Sequence, residues 1–234
     1  MSIDMQVAVN AFLMEGRELA HELEDGLLQI LKSIEAGTFV IESGVEDIHS
    51  QIEIVLTRNK GEVGKKIHSG RSRNDQSLVD IKLFIREELK NISKKVAVVF
   101  HQLLALSEQH QTTLLPGYTH MQLAMPSSFG LWFGAYAESL SDDLELLIAA
   151  YHVANKNPLG SGAGFGSSFP LNRQMTTDLL GFEQMNYNVV YAQMTRGKSE
   201  YLVTTALTSL ANTLSRLAMD VCLYNSQNFG FLLL

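Results

Sequence analysis

Three long stretches of this chain each carry a single apolar stripe at helical spacing, and no proline interrupts any of them. Between Asp75 and Glu108 the stripe is Leu78, Ile81, Ile85, Leu89, Ile92, Val96, Val99, Leu103 and Leu106, in steps of three and four. A second follows the start signal Pro126-Ser127 and runs through Phe129, Trp132, Phe133, Tyr136, Leu140, Leu144, Leu147, Ile148 and Tyr151. The third, from about Lys198 to Tyr224, holds Leu202, Ala206, Leu210, Leu214, Leu217, Val221 and Tyr224. All four prolines (Pro116, Pro126, Pro158, Pro170) lie between 116 and 170, and proline inside a helix would remove a backbone donor. At 1.5 Å per residue these are rods of about 40–50 Å. Rods with one apolar stripe have to pack side by side. The expected fold is therefore all-α, a long-helix bundle, with shorter helices at about 5–36, 46–59 and 171–182. The expected division is an N-terminal helical region, 1–68, and a bundle domain, 69–234.

Composition narrows the class further. With 234 residues, 46% apolar and 18% charged, the chain is globular rather than disordered. The lone Cys222 excludes an internal disulfide and a cysteine-based zinc site, and its place on the third rod reads as a buried small hydrophobe. No apolar run approaches the length of a membrane span, and the start, MSIDMQ, has no basic flank or apolar signal core. No membrane association and a cytoplasmic location are expected. Neither H-E-x-x-H nor G-x-S-x-G occurs, which leaves metal-dependent and serine-hydrolase chemistry without a motif.

Charge is uneven. The net charge is −7, yet residues 58–95 hold eleven Lys/Arg against five acids, a local +6. Such a zone can focus a small anionic substrate. Nucleic acid is the competing partner, but Phe84 is the only aromatic there and no zinc-finger spacing exists, so none is expected. For Lys82 to Lys95 the plain reading is a solvated helix face. Between the second and third rods, Gly160, Gly162, Gly164 and Gly166 alternate in a loop. It follows a helix and lacks the spacing of a phosphate cradle, so it reads as a backbone-rich reversal.

Two polar segments abut the rods. The first, Ile67 to Asp75, sets two arginines, an asparagine and two serines close together, a composition that can bind carboxylates by charge-assisted hydrogen bonds. Asp75 or Asn74 can equally be a helix cap in a charged loop. The second, Leu115 to Pro126, is framed by prolines and presents Thr119, His120 and Gln122. His120 is of the residue type best suited to proton transfer near neutral pH, although a single histidine is more often structural.

Together SGRSRND (69–75), GYTHMQLAMP (117–126) and GVEDIHS (44–50), in this order, resemble the argininosuccinate lyases of the fumarase/aspartase superfamily. The likeness extends over roughly 35–230 and includes KKIHSGRSRNDQ and NPLGSGAGFG. It implies an incomplete version of the superfamily's five-helix central bundle and a carbon–nitrogen lyase. Such an enzyme splits argininosuccinate, a small anionic substrate, into arginine and fumarate by general acid/base β-elimination. By resemblance His120 is the acid/base histidine, and Asn74 and Thr119 bind substrate carboxylates. Arg73, His49, Ser72 and Asp47 occupy neighbouring motif positions, and Gln122 supports the loop. Neither cofactor nor metal is implied. A homotetramer with each site built from three subunits is. The superfamily's GSSxMPxKxN loop does not occur in this sequence, which implies a truncated or split chain partnered by a separate C-terminal half. A non-catalytic remnant or helical scaffold of the same family is the alternative. Another superfamily lyase is the third reading, and SGRSRND argues against it.

Overall fold

The computed structural model describes residues 17–233. In chain order its elements are α1 (Arg17–Glu35), α2 (Ile48–Lys60), a 3-10 turn (Gly61–Lys66), α3 (Arg73–Gln109), β1 (Leu114–Thr119), β2 (Gln122–Ser128), α4 (Phe129–Ala154), β3 (Lys156–Asn157), α5 (Arg173–Leu179), β4 (Gln184–Met185), α6 (Val189–Met194) and α7 (Lys198–Tyr224). The three rods are α3, α4 and α7, within a few residues of the bounds that periodicity sets. Of the helix expected at 5–36, residues 17–35 are helical and the earlier part lies outside the described residues. The helix α6 and both strand pairs have no counterpart in the sequence reading. Two-residue strands and a six-residue helix are too short to leave a period.

The described residues divide into two compact units, 17–86 with 154–198, and 87–153 with 199–233. In the first unit, α1 and α2 bury Leu23, Leu27, Ile30, Ile52 and Leu56 with Ile67. A second core joins Val79 and Leu83 of α3 to Leu159, Leu180 and Phe182. Helix α3 starts with a reciprocal cap. Ser72 Oγ accepts from Asn74 N at 3.3 Å, and Asp75 Oδ1 accepts from Ser72 N at 2.9 Å. That is the S-x-x-[DE] capping box, so Ser72 is the capping residue and Asp75 its reciprocal partner.

Two expectations about charge need correction here. Lys82 is fully buried, not solvated, and its Nζ donates to Lys156 O at 3.1 Å and Asn186 Oδ1 at 2.9 Å. Arg86, one turn on, donates to Asn155 Oδ1, Leu180 O and Gly181 O, and its guanidinium lies 4.8 Å from the Phe182 ring centroid. Of the basic residues from Lys82 to Lys95, only Lys90, Lys94 and Lys95 are exposed. The 154–186 segment would otherwise bury carbonyls without partners, and a cationic side chain on the adjoining helix satisfies them.

In the second unit α4 and α7 run antiparallel. Trp132 and Tyr136 reach Asp220, Ser139 meets Thr213, and Ser209 donates to Asp143 at 2.6 Å. Tyr136, Leu140, Leu147, Ala150, Val203, Ala206 and Leu210 are buried. The stripe weakens toward the end of α7, where Leu214 is exposed and Leu217 and Val221 are half-buried. Cys222 is exposed rather than buried, because the α7 face it occupies is not covered by its own unit. The proline-framed segment is an antiparallel hairpin with a bulge between Gly117 and Tyr118. Both prolines sit opposite each other, Pro116 against Pro126, a position that a two-stranded ribbon tolerates because each strand is an edge.

Candidate functional site

The first polar segment is built around Arg73. Its Nε pairs with Asp47 Oδ2 at 2.9 Å, its Nη2 donates to Ser50 Oγ at 3.0 Å, and its Nη1 donates to Gln76 Oε1 at 3.2 Å. Asp47 is itself the cap of α2, accepting from Ser50 N at 2.8 Å. Partial burial raises the affinity of Asp47 for a proton, but the Ser50 hydrogen bonds and the Arg73 charge outweigh it, and its carboxyl titrates below the usual range. One helix start thus holds the guanidinium that lies at the next helix start.

A histidine pair backs this cluster. His49 Nε2 lies 3.4 Å from Asp80 Oδ2. His68 Nε2 lies 3.4 Å from His49 O, and Gln76 Nε2 meets His68 Nδ1. The amide of Gln76 donates to that Nδ1, which puts the His68 proton on Nε2, as its contact with the His49 carbonyl requires. Burial, then the positive charge of Arg71, lowers the His68 pKa to about 4, so the ring is neutral near pH 7. Gln76 therefore links His68 to Arg73, and His68 links to the His49 backbone.

The next turn faces two ways. Asn74 is exposed, with its Nδ2 donating to Ser72 Oγ at 3.2 Å. Asp75 is fully buried, and its Oδ2 accepts from Gly160 N and Gly162 N, both at 2.9 Å. Burial raises the pKa of Asp75, and the backbone donors and Arg71 act against that shift. The glycine loop is thus a carboxylate cradle filled by the chain's own aspartate.

Thr119, His120 and Gln122 lie in the second unit, at the tip of the β1–β2 hairpin. Thr119 pairs with Gln122 across the ladder, and His120 and Met121 form the connecting pair with φ of 51° and 61°. Two successive positive φ values mark the tight hairpin turn that usually carries Asn-Gly. A histidine and a methionine there are strained. Thr119, His120, Met121 and Gln122 are all exposed.

The structure therefore gathers Asp47, His49, Ser72, Arg73 and Asn74 into one patch of the first unit, and Thr119, His120 and Gln122 into one turn of the second. Sequence reasoning missed Ser50, His68, Gln76 and Asp80, which fix this patch. Only the Ser72-x-x-Asp75 box carried a local signal.

Three long helices, of which α4 and α7 run antiparallel, with polar clusters at helix starts define a helical-bundle protein. The sequence profile of a family described as "Lyase" matches residues 3–234, and the chain belongs to that family. An argininosuccinate lyase of Bacteroides thetaiotaomicron is 61% identical over 215 residues, covering 92% of this chain and 48% of that protein. One from Bacteroides fragilis is 62% identical over 219 residues, covering 94% and 49%. A crystal structure of EDDS lyase in complex with formate superposes with a TM-score of 0.86 at 25% identity, over 97% of this chain and 45% of that one. The chain spans about half the length of the relatives it matches.

Proposed function

We propose that this chain supplies substrate-binding and acid/base groups of an argininosuccinate lyase, in which L-argininosuccinate is cleaved to L-arginine and fumarate. The carrying observation is the Arg73 cluster. A guanidinium fixed by Asp47, Ser50 and Gln76 stands beside the exposed amide of Asn74, and the relatives that share 61–62% of the sequence bear that enzyme's name. Fixed donors of this kind suit carboxylates, because their orientation is set before the ligand arrives.

In the proposed reaction a proton leaves the carbon beside a succinyl carboxylate, the adjacent C–N bond breaks, and the departing guanidine nitrogen takes up a proton. Asn74, Thr119, Arg73 and Ser72 bind carboxylates, His49 and Asp47 orient them, Gln122 closes the hairpin, and His120 handles a proton. A homotetramer in the cytoplasm is the expected setting. Among the described residues no helix is long and apolar enough to cross a membrane.

The test is fumarate formation from argininosuccinate, followed by ultraviolet absorbance, with the chain alone and mixed with a separately produced C-terminal half of the Bacteroides fragilis relative. Activity on mixing, lost with His120→Asn, supports the proposal. Activity of the mixture that His120→Asn leaves intact removes His120 from its role. Silence in both arms from a folded chain favours the non-catalytic scaffold.

A further inference from the structure

We propose that Asp75 is a positioning residue: it ties the turn carrying Ser72, Arg73 and Asn74 to the glycine loop, so that the order of that loop sets the order of Asn74. A capping box needs one carboxylate oxygen, and Asp75 Oδ1 serves it through Ser72 N. The second oxygen does something a cap does not require. It receives two backbone N–H groups, from Gly160 and Gly162, in a site fully closed to solvent. Successive N–H groups converging on one anion form a nest, and burial of the anion is offset only if those bonds persist.

The loop is built to deliver them. Gly160 and Gly162 have φ of 83° and 60°, where a side chain is strained. A Cβ on Gly160 would come within 2.8 Å of the Arg173 side chain, and one on Gly162 within 2.8 Å of Gly166 O. The loop is gripped from its other side as well. Gln193 of α6 donates to Ser161 Oγ at 2.9 Å and to Gly162 O at 3.1 Å, and Arg173 Nε donates to Leu159 O at 2.9 Å. Asp75 is thus the link between α6, the loop and the start of α3. Because Asn74 precedes it in the same turn and bonds only to Ser72 among the described side chains, a slack loop leaves the Asn74 amide less well oriented.

This rests on the lyase reading only for the use made of Asn74; the mechanical link is measurable without substrate. Amide hydrogen exchange at 72–75 and 158–166, with nuclear relaxation of the Asn74 side-chain amide, would be compared among the unaltered chain, Asp75→Asn and Gln193→Ala. In Asp75→Asn, exchange at Gly160 and Gly162 rises at least about tenfold, exchange at Ser72 to Asn74 rises with it, and the Asn74 amide gains motion, while α1 and α2 keep their protection. Gln193→Ala removes no group from the turn, and it produces the same paired loosening to a smaller extent. It decides the matter if Asp75→Asn does not fold. Loosening of the loop with an unchanged Asn74 amide in Gln193→Ala overturns the proposal, as does unchanged loop exchange in both variants. Either result leaves the lyase reading standing, which the fumarate assay tests by itself.

Discussion

At the start of α3, Ser72, Arg73 and Asp75 all bond within their own turn, Arg73 and Asp75 also bond to groups from other elements, and Asp75 is fully buried. At the β1–β2 tip, His120 and Met121 stand in solvent with left-handed backbone. The same contrast separates two carboxylates. Asp75 gathers three backbone donors out of solvent, whereas the half-buried Asp220 gathers the Trp132 indole at 3.1 Å and the Tyr136 hydroxyl at 2.5 Å. A polar group's worth follows from what is left unpaired when it goes, and that depends on burial. The first region is organised before any ligand arrives. The second holds its histidine at the expense of backbone strain.

The largest expected effect is that of Asp75→Ala, which leaves three donors without an acceptor and should cost about 3–5 kcal/mol of stability in urea unfolding. A loss below about 1 kcal/mol would place the turn on the same footing as the hairpin.

His68 gives a pH-dependent effect of similar size. Its folded-state pKa of about 4 lies below the ordinary histidine value of 6.5. The unfolded chain therefore binds the proton more readily, and the stabilisation is fully present above pH 6.5 and lost as pH falls toward 4. The span amounts to roughly 3 kcal/mol. Urea midpoints measured across this window should fall in the unaltered chain and flatten in His68→Gln. A His68→Gln profile that falls just as steeply would move the effect to other groups.

Smaller changes belong to the second unit. Tyr136→Phe removes one donor from Asp220 but leaves Trp132, and about 1 kcal/mol should be lost. The Tyr136 hydroxyl is held protonated by burial and by its bond to Asp220, so this cost should not vary near neutral pH. At the hairpin tip His120→Gly should be neutral or stabilising, by up to about 1 kcal/mol, because glycine adopts positive φ without strain. The same substitution should abolish fumarate formation in an active assembly. A destabilised His120→Gly would show that the ring packs against something and is not merely tolerated.

Much of this was legible from residues alone. The stripes of α3, α4 and α7 gave their length and inner faces, and Leu78, Leu89, Leu103, Leu140 and Leu210 are buried where the period puts them. The motifs span every member of the Arg73 patch except Asp80, yet Ser50, His68 and Gln76 within them carried no assigned role, because their parts depend on contacts between elements. The hairpin escaped because Pro116-Gly117 reads as loop punctuation and Pro126-Ser127 as a helix start. Cys222 and Lys82 were misplaced for one reason. Type predicts exposure only on average, while the neighbouring element decides whether a face is covered.

By itself, then, the sequence determined the helices, their apolar faces and the family, since periodicity and motif spacing are local properties of the chain. Only tertiary structure decided that Lys82 lies buried beneath the 154–186 segment, that Asp75 fills the glycine cradle, and that Arg73 is pinned by Asp47. Those outcomes depend on which donor meets which acceptor across gaps of up to about a hundred residues. Desolvation makes each such meeting obligatory once the groups are buried, yet it leaves no periodic trace in the order of the residues.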